Sequence, residues 1–232
     1  MAVKAVLWDI DGTLLDFDKT ERYGIQKCFE IFELGACSEA MLRDYAAINL
    51  KYWEKLERGE ISREQVLLGR FEEFFAKYNL PLHKAAAFND EYQIRLGDQV
   101  FFSDFGLEAV EALRGKVKQY AVTNGTALAQ QRKLARSGLD RILDGIFISE
   151  HMGAEKPAKA FFERVFQETG TFAPDEAVII GDSLTSDMRG GNNAGILNCW
   201  YNPSGKKNLT DVRIDNEIRS LAEVPVLIEK LS

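Results

Sequence analysis

Short apolar runs that end in polar or glycine-rich turns recur at residues 2–8, 119–122, 145–148, 177–180 and 197–201. A run that is apolar throughout, without alternation, is what a strand buried on both faces shows, so these segments predict parallel strands joined by crossover units. Helix-period stretches lie between several of them. Residues 127–137 read as an amphipathic helix closed by Gly138, and 158–169 as another closed by Gly170, glycine being the residue that best fills the left-handed position after a helix. The pattern is α/β.

The stretch from about Asp18 to Gly97 differs. It has no strand-like run, and its apolar residues fall at helical spacing: Tyr23, Cys28, Phe29 and Phe32, then Met41, Tyr45, Ile48, Tyr52 and Leu56. It predicts an all-helical insert. The sharpest boundary is at residues 61–66, where Ser62 caps, Gln65 completes a capping box, and Ile61 with Val66 forms a hydrophobic staple. Gly35, Gly59 and Pro81 divide the insert into about four helices. Its aromatics (Trp53, Phe71, Phe74, Phe75, Tyr78) are read as the core of a small bundle, with one or two left for the face toward the sheet. The predicted organisation is a discontinuous α/β core of residues 1–17 and 98–232, interrupted by a helical unit over 18–97.

A chain of 232 residues with 46% hydrophobic content can bury a large core, which leaves room for an enzyme. The formal net charge of −7 argues against a nucleic-acid polymer or an anionic membrane as partner, since both need clustered Lys and Arg. Any affinity for phosphate must then be local. The opening residues are apolar only briefly before Asp9 and Asp11 intervene, so neither a signal peptide nor a membrane span is expected, and the protein reads as cytoplasmic. Cys28, Cys37 and Cys199 have no zinc-ligand spacing and are expected to be buried free thiols.

Four places carry chemistry. Asp9-Ile10-Asp11-Gly12-Thr13 stands where the first strand ends, and two carboxylates one residue apart reach one small site if Gly12 lets the chain turn. Asp-rich strand ends are also ordinary solvated turns. Thr123-Asn124-Gly125-Thr126 ends the next strand ahead of a helix, where a hydroxyl and backbone N–H groups form an anion cradle, or merely a capped turn. Lys156-Pro157 precedes the next helix, with proline suited to a first helical turn; an exposed lysine would be unremarked there. Gly181-Asp182-Ser183 follows the fourth strand, and Asp187 comes about one turn on, which suits a hard, oxygen-seeking cation. All four lie at carboxyl ends of predicted parallel strands, where open α/β sheets bind ligands. Carboxylates, a lysine, a hydroxyl and a divalent cation in one crevice suit phosphoryl transfer.

These residues resemble the haloacid dehalogenase (HAD) superfamily over the whole chain: the DxDGT motif at residues 9–13, the second-motif threonine as Thr123, the third-motif lysine as Lys156, and the GDSxxxD motif at 181–187. The resemblance implies a Rossmann-like core, and the helical insert is similar to the family's C1-type cap. More narrowly, residues 181–195 together with Cys199-Trp200-Tyr201-Asn202-Pro203 are similar to the pyrimidine 5′-nucleotidase branch. It further implies a phosphatase acting on a small phosphomonoester through an aspartyl-phosphate. Asp9 would be the nucleophile. Asp11 would be the acid and base, with its pKa raised relative to Asp9. Thr123, Asn124, Gly125 and Lys156 would hold the phosphate, and Mg2+ would be bound by Asp9, the Asp11 carbonyl, Asp182 and Asp187. A phosphoglycolate or sugar-phosphate phosphatase, or a phosphomutase of the β-phosphoglucomutase type, would keep the same core residues. A dehalogenase would not need Asp11, and a non-catalytic binding protein would need none of the set.

Overall fold

The computed structural model describes residues 2–231. In chain order the elements are β1 (Ala5–Trp8), α1 (Phe17–Ile31), α2 (Glu39–Glu57), α3 (Arg63–Lys77), α4 (Ala85–Arg95), α5 (Gly106–Leu113), β2 (Lys118–Thr123), α6 (Ala127–Ser137), β3 (Gly145–Ile148), α7 (Ser149–Met152), α8 (Lys159–Thr169), β4 (Ala177–Gly181), a π-helical turn (Leu184–Met188), α9 (Arg189–Ala194), β5 (Leu197–Tyr201), β6 (Asn216–Ile218) and α10 (Val224–Leu231).

The strands form one sheet in the order β3-β2-β1-β4-β5-β6, with every pair parallel. Alternate side chains serve opposite faces. Val6, Trp8, Val178 and Ile180 pack with Val110 and Leu113 of α5 and Val224 and Ile228 of α10. Ala5, Leu7, Ala177 and Ile179 pack with Phe161, Phe162 and Val165 of α8 on the other side. Both faces are therefore dry, which is why the strands read as unbroken apolar runs. The five predicted strands are present, and the α/β class is as expected. The sixth, β6, escapes the pattern because it is a three-residue edge strand, Asn-Glu-Ile, with only Ile218 buried.

Helices α1 to α4 fill the stretch between β1 and α5 and hold a core of their own. Ile25, Phe29, Tyr45, Phe71, Phe74, Phe75, Phe88 and Tyr92 pack together there, and Ala129 of α6 joins them from the sheet side. The rings meet mostly edge to face, as at Phe29–Phe88 (6.0 Å, 89°), and each buried ring is worth roughly 1.5–3 kcal/mol of transfer free energy. The capping box of Ser62 and Gln65 opens α3 as predicted. Trp53 is half-buried and faces the large cavity described below, so it is one of the exceptions to the aromatic core. The cysteines are unpaired; Cys28 and Cys199 are buried, whereas Cys37, in the α1–α2 loop, is only half-buried. Among the described residues no helix is long and apolar enough to cross a membrane.

One local expectation is corrected. Helix α8 starts at Lys159 with Ala158 extended before it (φ −61°, ψ 131°), so Pro157 stands ahead of the helix and not in its first turn. The Lys156-Pro157 peptide is cis, and the Pro157 carbonyl accepts from Asn193 Nδ2 at 2.9 Å.

Candidate active site

The sheet order reverses direction between β1 and β4, and a crevice opens at such a switch point beyond the strands' carboxyl ends. Asp9 follows β1 directly, its N–H held by the Ile180 carbonyl at 2.9 Å, and Asp182 follows β4. Lys156, 1% exposed, reaches in from the β3 side: its Nζ donates to Asp9 Oδ1 (2.8 Å), Asp187 Oδ1 (2.6 Å) and the Val122 carbonyl (2.7 Å). Thr13 Oγ1 donates to Asp9 Oδ2 at 2.8 Å, and Ser183 N–H to Asp187 Oδ2 at 3.1 Å. Gly12 makes the turn with φ +88°, and a Cβ there would lie 2.7 Å from Asp182 Oδ2. Only glycine serves both the backbone and the close approach of Asp182.

The second motif is placed at the end of β2, but its groups are already engaged. Asn124 spends its side-chain amide on the backbone of Lys156, donating from Nδ2 to the Lys156 carbonyl and accepting the Lys156 N–H at Oδ1, both at 2.9 Å. Gly125 N–H donates to Ser149 Oγ at 3.2 Å, and Thr123 Oγ1 donates to the Asn124 carbonyl at 3.3 Å. Asn124 thus fixes Lys156, and what it offers an anion is its main chain.

The electrostatics follow from burial. Desolvation pushes the Asp9 carboxyl up to about 7, Asp187 adding to the rise while Lys156 and Thr13 oppose it. Asp182 opens onto the cavity yet is walled in by protein, and burial, then the charges of Asp9 and Asp187, hold its pKa well above the usual range. Burial works against the Lys156 ammonium, but Asp187 and Asp9 outweigh it and the pKa rises. The apolar burial falls on Asp9, while Asp11 Oδ2 is paired with the ammonium of Lys133. Ligand oxygens of Asp9, Asp182 and Asp187 lie within 4.8 Å of one another. Three carboxyls at that separation, against the one ammonium of Lys156, form a hard-oxygen set that a divalent cation fits.

With these motifs on one crevice, the sequence can be set beside known proteins. The family model described as haloacid dehalogenase-like hydrolase matches residues 3–195. The chain belongs to that family. It is 33% identical to the pyrimidine 5′-nucleotidase PynA of Streptococcus pneumoniae over 99% of its own length and 97% of that protein's, and 29% identical to the pyrimidine 5′-nucleotidase YjjG of Escherichia coli over 97% of each. A crystal structure of the HAD-hydrolase YfnB from Bacillus subtilis, bound to magnesium, superposes with a TM-score of 0.91 at 31% identity, covering 98% of this chain and 99% of that one.

In this HAD hydrolase the site lies in a cavity of about 780 Å³ between the sheet's carboxyl edge and helices α1, α2, α3 and α4. Several residues there carry no motif in the sequence. Asp11 Oδ2 accepts from Gln130 Nε2 at 2.8 Å and from Lys133 Nζ, and Lys133 is 1% exposed with Phe17's ring 5.2 Å away. Gln130 and Lys133 are three apart on one face of α6, the only hint of a shared target that the sequence holds. Among the hydrogen bonds that tie the helical unit to the sheet side, Glu57 accepts from Thr185 Oγ1 at 2.7 Å, and Arg63 donates to Ser149 Oγ at 3.1 Å and Glu155 Oε1 at 2.6 Å. Glu21, Asn49, Arg70 and Gln93 line the far wall.

Proposed function

We propose that this hydrolase is a magnesium-dependent phosphomonoesterase that works through a phosphorylated Asp9 and takes pyrimidine nucleoside 5′-monophosphates. The carrying observation is the convergence of Asp9, Asp182 and Asp187 within 4.8 Å, bridged by buried Lys156. Both 5′-nucleotidases named above align over nearly their whole length, which supports the substrate class.

In this reading an Asp9 oxygen attacks phosphorus in line, the bond from phosphorus to the leaving oxygen breaks, and Asp11 gives that oxygen its proton. Water then attacks the phosphoryl group, Asp11 takes the water's proton, and Asp9 is freed as carboxylate. Lys133 and Gln130 hold Asp11 through Oδ2, and Oδ1, which has no partner among the described residues, is the oxygen left to serve the leaving group. Lys156 holds Asp9 and shares the charge of the phosphoryl oxygens, which the Asn124 N–H also meets, joined by the Thr123 hydroxyl and the Gly125 N–H when these give up the Asn124 carbonyl and Ser149 Oγ. Asp9, Asp182 and the Asp11 carbonyl, with Asp187 behind them, would hold Mg2+, which would supply the positive charge that a phosphate dianion needs to approach carboxylates. Residues 18–97 form the cap, and residues 1–17 with 98–232 form the core beneath it. Closure of the cap keeps water out, and its opening releases product. Free thiols at Cys28, Cys37 and Cys199 fit a reducing, cytoplasmic setting.

The test is phosphate release from uridine and thymidine monophosphates, purine nucleotides, sugar phosphates and phosphoglycolate, with and without Mg2+. Pyrimidine nucleotides should lead, chelation should abolish turnover, and Asp9→Asn should be inactive. Preference for purine nucleotides or phosphoglycolate would overturn the substrate class. Near-normal turnover by Asp9→Asn would overturn the mechanism, and dependence on an added sugar bisphosphate would point to a mutase.

A further inference from the structure

We infer that Glu21, backed by Asn49 and Arg70, determines leaving-group specificity: its carboxyl accepts the ring N–H that uracil and thymine carry between two carbonyls. This assignment rests on the nucleotidase reading and sharpens it to one contact.

The bundle formed by α1 to α4 is otherwise an aromatic core, and inside it runs a row of buried polar side chains. Asn49 Nδ2 donates to Glu21 Oε1 at 2.8 Å, Arg70 Nη1 donates to Asn49 Oδ1 at 2.7 Å, and Arg70 Nη2 donates to Asn89 Oδ1 at 3.2 Å. Gln93 Nε2 also donates to Asn89 Oδ1 (3.2 Å), and Gln93 Oε1 accepts from Thr126 Oγ1 (2.7 Å), the cap of α6. Glu21, Asn49 and Arg70 are 4%, 3% and 2% exposed. Polar groups are not placed this deep without cost, so their position on a cavity wall needs a reason. Four members of the row, Glu21, Asn49, Arg70 and Gln93, line the cavity that holds Asp9.

The direction of the bonds says what the wall seeks. Arg70 donates to Asn49 and Asn49 donates to Glu21, so the chain of donors ends on an acceptor, and Glu21 Oε2 accepts nothing among the described residues. Arg70 holds the row in place, its guanidinium 5.0 Å from the Phe71 ring centre and 5.3 Å from that of Tyr92. Its Nε is buried without a partner, a second polar group on this wall that the protein leaves unsatisfied. Above about pH 7, where Glu21 is ionised, a ligand matched to it must bring a donor, and the kinetic comparison below is made at pH 8. The ligand should also be neutral, because Asp16, Asp18, Glu57 and Asp104 line the same cavity and outnumber the cations there that are not held by the catalytic acids: Lys19, paired to Asp16 at 2.8 Å, Arg70 and Lys206. The carboxylate of phosphoglycolate, or a second phosphate, would meet like charge there; a uracil ring offers an N–H and no charge. A buried acceptor also rejects an analogue that lacks the donor far more strongly than an apolar pocket rejects a change of size.

The experiment compares kcat/KM for uridine 5′-monophosphate, its N3-methyl derivative and p-nitrophenyl phosphate, on the wild type and on Glu21→Met. In the wild type N3-methylation should lower kcat/KM by about tenfold or more, mostly through KM. In Glu21→Met the penalty should shrink to within about threefold, the signature of two groups that touch. A wild type indifferent to N3-methylation, or an equal penalty in the variant, would overturn the assignment and leave the nucleotidase reading standing. A wild type that cleaves p-nitrophenyl phosphate but not uridine monophosphate would overturn both. The wild-type comparison changes only the ligand, so it holds even if the variant does not fold.

Discussion

Glu21→Gln should straighten the pH dependence of stability. Burial drives the Glu21 carboxyl from 4.5 up to about 7, with the Asn49 hydrogen bond and the Arg70 charge opposing and Asp18 and Asp11 reinforcing. Below 4.5 folded and unfolded chains both carry the proton and the group is neutral to folding. Between 4.5 and about 7 the unfolded chain releases it while the folded chain keeps it, so stability falls as pH rises and the loss levels off above about 7. At 1.36 kcal/mol per unit, the two endpoints give a loss of about 3 kcal/mol. A glutamine side chain at this position has the same shape and one hydrogen-bond acceptor, without the titration. Urea unfolding of metal-free protein at intervals from pH 4 to pH 8.5, plotted as wild type minus Glu21→Gln, should therefore slope downward by that amount and cancel every other titrating group. Parallel lines for the two proteins would mean that the carboxyl is hydrated in the folded state, and the reasoning from burial would fail.

Two other substitutions probe the carboxylate cluster. Gly12→Ala puts a Cβ 2.7 Å from Asp182 Oδ2 on a backbone at φ +88°, so it should cost about 1–2 kcal/mol of stability and weaken Mg2+ binding measured by calorimetric titration; unchanged affinity would contradict the packing of Asp182 against this turn. Lys156→Met leaves Asp9 and Asp187 buried and uncompensated, and should destabilise metal-free protein by about 3–5 kcal/mol in urea unfolding, with a loss under about 1 kcal/mol showing that the ammonium is not what balances them.

The sheet and the four motif positions are legible in the sequence because burial on both faces writes unbroken apolar runs, and each run hands its motif to the same edge. What is not legible has physical causes. Lys133 and Gln130 sit on an amphipathic helix, where sequence assigns polar residues to water; only the fold turns that face toward Asp11. Glu21, Asn49 and Arg70 come from three different helices and carry no common spacing. Asn124 reads as a contact for phosphate, yet its amide closes on the backbone of a residue 32 positions away, a pairing that no local pattern records. The expectation for Pro157 fails because proline before a helix and proline in its first turn look alike in a string of letters.

The anchoring of Lys156 has a mechanical corollary. Its main chain is gripped by Asn124 and its ammonium by the Val122 carbonyl, so three of its fixings belong to the tip of β2 and none of these to the segment that delivers it from β3. The charge is therefore moored to the neighbouring strand, and its position is set there and not by the span of chain that carries it.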